Sequence, residues 1–242
     1  GTDIVIYREL SGGIYFDTKE LSEDGLSAFD VCSYTVDQIS RVTHLAFKAA
    51  QKRKKKVTLV DKANVLETSR LWRKTVTEIA KEYANVKLDF MFVDNAALQI
   101  VLNPKQFDVI LTENLFGDII SDEASVISGS IGLLASSSIG EKTAMFEPIH
   151  GTYPQAKGKD IANPLASILS AAMLLEHFGL QEEADSIKRA LEKSLTLGIT
   201  TEDIKGKNQY SASTSKVGGF IADYILNQED SNLNFKNIHM GQ

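Results

Sequence analysis

The chain has 242 residues, 43% apolar and 24% charged, with 16 glycines and 4 prolines, which excludes a disordered chain, a collagen and a disulfide scaffold. Thirty-two acidic against 26 basic residues give a formal charge of -6, the wrong sign for releasing counterions from nucleic-acid phosphate. Cys32 is the sole cysteine, no apolar run is long enough to span a bilayer, and residues 1–20 lack the pattern of a signal peptide. A cytoplasmic protein without nucleic-acid or membrane partners is expected.

Asp3 to Arg8 reads as a strand, and the chain begins inside it without Met, which predicts a preceding segment. Ser11-Gly-Gly13 is a turn signal, and Ile14-Tyr-Phe16 reads as a second short β-prone piece. Residues 17–34 are polar and patternless. Thr35 and Gln38 then make a capping box, and Ile39, Val42, Ala46 and Ala49 recur at helical spacing up to the basic run Lys52 to Lys56. That run closes a helix, where cations complement the negative end of the dipole.

Val57 to Val60 is a buried strand, Thr68 to Tyr83 an amphipathic helix, and Val86 to Val93 a strand again. Asn95 to Asn103 continues as helix until Pro104 breaks it; Asp108 to Thr112 is strand and Leu115 to Ser128 helix. This alternation predicts an α/β sheet with helical crossovers. From residue 129 the chain turns small-residue-rich, and Glu147 to Pro164 is turn-rich. Helices over Leu165 to Phe178 and Glu182 to Leu197 follow, and Val217 to Leu226 ends the folded part, leaving a polar tail, 227–242, expected to fray.

Several residues could carry chemistry. Asp118 and Asp122 stand four apart, so a helix puts both carboxylates on one face. Such a pair suits a hard divalent cation, and equally suits acids that complement a helix start. Asp94 and Lys62 each follow an apolar strand directly, where α/β sheets place functional groups; a helix cap and a surface lysine are the plain alternatives. Tyr15 could donate a phenolic proton or simply pack, and Arg8 could hold a carboxylate by two parallel hydrogen bonds or be solvated. His150 has no G-x-S-x-G or cysteine partner and reads as a loop residue. Neither G-x-G-x-x-G after a strand nor a P-loop is present, so a nucleotide would have to use another loop, His150 to Pro164 being the candidate.

Taken together, Arg8-Glu-Leu-Ser-Gly-Gly-Ile-Tyr-Phe16, Val60-Asp-Lys-Ala-Asn-Val-Leu-Glu67 with Leu71-Trp-Arg-Lys-Thr-Val76, Gly117-Asp-Ile-Ile-Ser-Asp122, and Glu147-Pro-Ile-His-Gly151 with Ile161-Ala-Asn-Pro164 resemble the isocitrate/isopropylmalate dehydrogenase family. The first two motifs are closest to its isopropylmalate-oxidising members. The resemblance implies a non-Rossmann α/β fold of two domains sharing a large sheet, here N-terminally truncated. It further implies residues 1–128 as a dimerising, metal- and substrate-binding domain with an arm at about 17–34, residues 129–226 as the remainder of the cofactor-binding domain, and a homodimer with shared active sites.

The activity the resemblance implies is NAD-dependent oxidative decarboxylation of 3-isopropylmalate to 2-oxo-4-methylpentanoate, in leucine biosynthesis. A sister 2-hydroxy acid decarboxylase and a non-catalytic dimerising or regulatory subunit are the alternatives. By matching position, Tyr15 and Lys62 would be catalytic, and Arg8 and Asp94 would bind substrate. Asp94, Asp118 and Asp122 would hold Mg²⁺ or Mn²⁺, Asp94 and Lys62 reaching in from the other subunit. Asn64 would lie beside the nicotinamide of NAD. Glu147, His150, Gly151, Tyr153, Pro154, Gln155, Ala156 and Asn163 would hold its adenosine half. Gln155 departs from the acid that many NAD-using members have there. Lys157 and Lys159 stand nearby.

Overall fold

The structure is a computed structural model that describes residues 1–207 and 210–227. The chain divides into two compact units, Gly1–Ile127 and Ser128–Gln242.

In the first unit four strands, β1 (Val5–Arg8), β4 (Lys56–Asp61), β5 (Lys87–Phe92) and β6 (Val109–Thr112), make one parallel sheet in the order β1-β6-β4-β5. Parallel neighbours need crossovers, which helices α1 (Val36–Gln51), α2 (Glu67–Ala80) and α3 (Val93–Leu102) supply. α4 (Asn114–Ser125) follows β6.

Alternation along each strand decides which helices it meets. Val57, Leu59, Val109 and Leu111 pack with Ile39, Phe47, Trp72 and Val76 of α1 and α2. Val60 and Ile110 point the other way, to Ala96 and Ile100 of α3 and Ile120 of α4. The result is a three-layer α/β/α unit whose central strands are covered on both faces, as parallel sheets require.

The capping box forms as the sequence predicts: the Thr35 hydroxyl accepts from the Gln38 amide, and Gln38 reaches back to Thr35. The basic run that follows α1 is absorbed locally. Arg53 pairs with Asp108 at 2.9 Å and Asp3 at 2.6 Å, and Lys56 with Asp89 at 3.1 Å.

Two local expectations fail. Ile14 to Phe16 is not a strand: Gly13–Tyr15 is a single turn of 3-10 helix. Gly13 sits at φ +76, outside the extended region, and a Cβ there would lie 2.1 Å from the Tyr34 hydroxyl. Residues 17–34 are not patternless either, because β2 (Lys19–Leu21) and β3 (Ala28–Asp30) pair antiparallel with Glu20 opposite Phe29. The overlooked signal was Asp24-Gly25, with Gly25 at φ +69 in the connecting turn.

In the second unit β7 (Ala135–Ile139) and β8 (Ala144–Pro148) form an antiparallel hairpin turned at Gly140, whose amide donates to Thr143 O. The serine-rich β7 has too little apolar alternation to announce itself. The hairpin packs on α5 (Leu165–His177), which also packs on α6 (Gln181–Thr196); α6 in turn meets α7 (Thr214–Leu226). Leu165, Ala190, Leu191, Val217 and Ile221 form the core. α7 starts before Val217 because the Ser213 hydroxyl caps it, accepting from the Lys216 amide.

The described residues thus form a mixed α/β fold built on a parallel sheet, as expected. β1 to β6 supply a four-stranded and a two-stranded sheet, and β7 and β8 pair only with each other. Apart from Asn227, the predicted polar tail lies outside the described residues. Among the described residues no helix is long and apolar enough to cross a membrane.

Gly219 lies exposed in the interior of α7, and a Cβ added there meets nothing within 4 Å. Gly219→Ala is therefore expected to stabilise the protein by about 1 kcal/mol through helix propensity alone. A thermal unfolding midpoint that stays level or falls would contradict this.

Candidate functional site at the carboxyl edge of the sheet

The four parallel strands all end on one edge, and the candidate residues gather there. Arg8 is the last residue of β1, Lys62 follows the last residue of β4, Asp94 stands in the first turn of α3 directly after β5, and α4 with Asp118 follows β6. Open α/β sheets bind ligands outside this edge because the loops there diverge and helix N-termini face outward.

One cluster centres on Asp118. Arg8 donates to its Oδ1 at 2.6 Å and Tyr15 donates its hydroxyl to Oδ2 at 2.7 Å. Asn114 holds the remaining nitrogens of Arg8, its Oδ1 accepting from Nε at 3.0 Å and Nη2 at 2.8 Å. Buried Asn114 is itself fixed: its Nδ2 donates to Gly12 O, and its backbone amide donates to the Tyr34 hydroxyl, which donates in turn to Glu113.

The Gly12 turn is set from below by the buried Glu9 carboxylate, which accepts the Ser11 hydroxyl and the amides of Ser11 and Gly12. Glu9, Glu113 and Asn114 were missed in the sequence. The available signal was a polar residue immediately after an apolar strand, the same signal that singled out Lys62 and Asp94.

These contacts shift two titrations in opposite senses. The hydrogen bond from Tyr15, with the Arg8 charge beside it, holds the Asp118 carboxyl below its ordinary value. Donation to that same carboxylate, and then burial, hold the Tyr15 phenol above its own. Asp122 lies one turn further along α4, exposed, its carboxylate without a hydrogen-bond or ion-pair partner among the described residues.

The second cluster is Lys62 with Asp94. The ammonium donates to Asp94 Oδ1 at 2.6 Å and stands 5.9 Å from the centre of the Phe92 ring. The hydrogen bond from Lys62 holds Asp94 below the usual carboxylate range. Asn64 is exposed two residues further on. The expected ligands Asp94, Asp118 and Asp122 are not brought to one point by the single chain: no group of three acidic, histidine or cysteine side chains placed to hold a metal occurs among the described residues.

In the second unit the other candidates follow β8. Glu147 is exposed on β8 itself. His150 Nδ1 is 3.0 Å from Gly151 O, while its buried Nε2 has no partner. Gly151, Tyr153, Pro154 and Gln155 are exposed, and Ala156 closes a short 3-10 turn, Pro154–Ala156, as its buried residue. Asn163 is tied at both ends of its amide, accepting from the Leu165 amide and donating to Asp203.

Burial would raise Asp203, but hydrogen bonds from Ser130, Thr201 and Asn163 outweigh it and hold the carboxylate low. Asp160 anchors the same loop to the start of α7 by accepting from the Ser215 amide and hydroxyl. A long loop pinned at Asp160 and Asn163, with its middle exposed, has the shape of a ligand-binding segment.

A parallel α/β unit with an Arg–Asp–Tyr chain and a Lys–Asp pair along its carboxyl edge has the make-up of a site for acid–base chemistry on a small anionic molecule. Comparison with known proteins is specific. A profile described as isocitrate/isopropylmalate dehydrogenase matches residues 1–221, and the chain belongs to that family.

Curated relatives named 3-isopropylmalate dehydrogenase include those of Wolinella succinogenes, 54% identical over 226 residues, and Clostridium pasteurianum, 55% identical over 229 residues. Each match covers 93% of this chain; the chain spans only 63% and 64% of those relatives. Among solved structures, isocitrate dehydrogenase from Methylococcus capsulatus matches with a TM-score of 0.86 at 36% identity, covering 93% of this chain and 67% of that one. A β-decarboxylating dehydrogenase from Thermococcus kodakarensis, in its apo form, gives 0.79 at 38% identity, covering 91% and 64%.

Proposed function

We propose that the protein containing this chain oxidises 3-isopropylmalate with NAD and decarboxylates the product to 2-oxo-4-methylpentanoate, a step of leucine biosynthesis. The observation that carries this reading is the hydrogen-bonded chain Arg8–Asp118–Tyr15, which puts a carboxylate binder, an acidic oxygen ligand and a phenolic proton donor side by side. The relatives above 50% identity bear the isopropylmalate name, which favours that substrate over isocitrate.

The residues present fit the cofactors this reaction needs. Asp118 and Asp122 offer oxygen donors one helical turn apart, and a small divalent cation is commonly held by one or two carboxylates, leaving room for a substrate oxygen. Asp94 of a second copy would complete the set. The partnerless Nε2 of His150 and the exposed loop around it suit the adenosine half of a dinucleotide. Glu147 and Gly151 to Asn163 would hold that half, with Asn64 toward the nicotinamide. When bound, the cation would supply charge stabilisation at the substrate's oxygens and NAD the hydride acceptor.

The chain's own residues do the rest. Arg8, kept in orientation by Asn114, grips a substrate carboxylate through its guanidinium fork. Lys62 Nζ, as the neutral amine, takes the proton of the substrate hydroxyl and then holds it as an ammonium beside the Asp94 carboxylate. After carbon dioxide leaves, Tyr15 Oη delivers a proton to the carbon that bore it. The β2–β3 hairpin is the arm of a homodimer with shared sites: all six strand residues are exposed, Leu21 and Phe29 among them, and both outer edges lack a ladder partner among the described residues.

The deciding experiment mixes the protein with 3-isopropylmalate, NAD and Mn²⁺ and follows NADH by near-ultraviolet absorbance. NADH formation dependent on all three is expected. Turnover of isocitrate in preference to isopropylmalate would overturn the substrate assignment.

A further inference from the structure

The turn that carries Lys62 is gripped from one face of α2. The Lys62 amide donates to Ser69 Oγ at 3.0 Å, and Arg70 Nε donates to Ala63 O at 3.0 Å. One turn beyond Ser69, Arg73 donates from Nε to Asp61 Oδ2 at 2.6 Å and from Nη2 to Asp61 Oδ1 at 3.1 Å. Asp61 is the last residue of β4, its side chain only 3% exposed, and its Oδ1 also accepts from the Ala63 amide at 2.9 Å. One buried carboxylate thus ties α2 to the residue on either side of Lys62.

Arg73 reaches Lys62 by a second route. Its guanidinium carbon lies 4.9 Å and 5.1 Å from the ring centres of Phe90 and Phe92, which alternate onto one face of β5. The Phe92 ring is the one that the Lys62 ammonium also stands over, at 5.9 Å.

We propose that Arg73 is a positioning residue for Lys62, acting through Asp61 and the Phe92 ring. The proposal rests on the reading of Lys62 as the group that moves the substrate's hydroxyl proton. Burying an acid costs solvation that a single partner does not reliably repay, so a buried pair beside a functional side chain is better explained by the geometry it imposes than by stability. Arginine is required because only a planar fork can hold both oxygens of Asp61 while lying against two rings, which a point-charge ammonium cannot do.

The test compares the parent protein with Arg73→Lys, which keeps a positive charge for Asp61, and Phe92→Leu, which keeps the Asp61 pair intact. Acylation of lysines by acetic anhydride, read by peptide mass spectrometry, reports how firmly Lys62 Nζ is held. In both variants Lys62 is expected to react about threefold faster, the scale of one half-exposed ion pair lost, while Lys87 reacts as in the parent. In Arg73→Lys, kcat should fall at least about tenfold, with the KM values for substrate and NAD within about twofold, as a displaced catalytic group dictates.

Unchanged Lys62 acylation in both folded variants overturns the proposal, whether or not the parent turns over substrate. Faster Lys62 acylation in a parent background that never produces NADH overturns the functional reading and leaves the positioning role standing.

Discussion

Tyr15→Phe is expected to lower turnover on the order of 10²- to 10⁴-fold, the usual contribution of a positioned general acid. The loss should be selective. Oxidation does not need the phenol, so NADH should appear in a rapid burst of one equivalent per site, followed by a slow phase limited by protonation of the decarboxylated product. The fold should not suffer, because Tyr15 is 41% exposed and Asp118 keeps Arg8 as a partner after the hydroxyl is gone.

The direction of the titrations supports this role. Tyr15 is raised above its ordinary value by donating to Asp118. Its bonded form is therefore fully present below the unfolded phenol value of about 10 and is lost as pH rises through the higher folded value. Asp118 is lowered, so its contribution is present above the unfolded carboxylate value of about 4 and is lost as pH falls through the lower folded one. Across neutral pH the phenol keeps its proton and the carboxylate its charge, the state in which Tyr15 can act as an acid. Turnover unchanged in Tyr15→Phe would remove the phenol from the mechanism.

The carboxyl-edge site was legible in the sequence to the extent that it depends on strand ends. Arg8, Lys62 and Asp94 each follow an apolar run, and where the run stops, the side chain is placed by the sheet. The residues that hold these three in place were not legible. Asn114 acts across a long separation in the chain, 106 residues from Arg8, whereas Glu9 and Asp61 accept from amides two or three residues on, in turns that no hydrophobic period marks. No local pattern records that an amide will spend its oxygen on a distant guanidinium.

The two hairpins failed to show for a different reason. β2 and β3 are exposed on every residue, and β7 is largely serine, so neither carries the apolar alternation that burial imposes on β4 and β6. The 3-10 turn at Gly13–Tyr15, where a short strand was expected, is a tertiary effect, because the ring that forbids a side chain at Gly13 belongs to Tyr34.

Gly117→Ala is expected to act against helix propensity and to disarm Arg8. Within α4, alanine at an open position would add up to about 1 kcal/mol of stability. At Gly117 the added Cβ would stand 2.6 Å from Arg8 Cγ, 2.9 Å from its Cβ and 3.0 Å from its Cδ. The Arg8 Cβ cannot retreat, since β1 is fixed in the ladder with Arg8 opposite Thr112. Either the arginine stem swings away, breaking its bonds to Asn114 and Asp118, or α4 lifts from the sheet.

Both outcomes cost about 1–3 kcal/mol, the range for overpacking a filled site. Both also take the guanidinium from the position where it would grip a carboxylate, so the KM for substrate should rise on the order of 10- to 100-fold, the loss of a charge-assisted bond, while the KM for NAD stays level. Gly219→Ala is the internal control. Two glycine-to-alanine changes in helices of one chain should move the denaturant midpoint in opposite directions, up at Gly219 and down at Gly117. A Gly117→Ala protein as stable as its parent, with substrate KM unchanged, would mean that the Arg8 stem does not lie against α4 and that its grip on Asp118 is not part of the site.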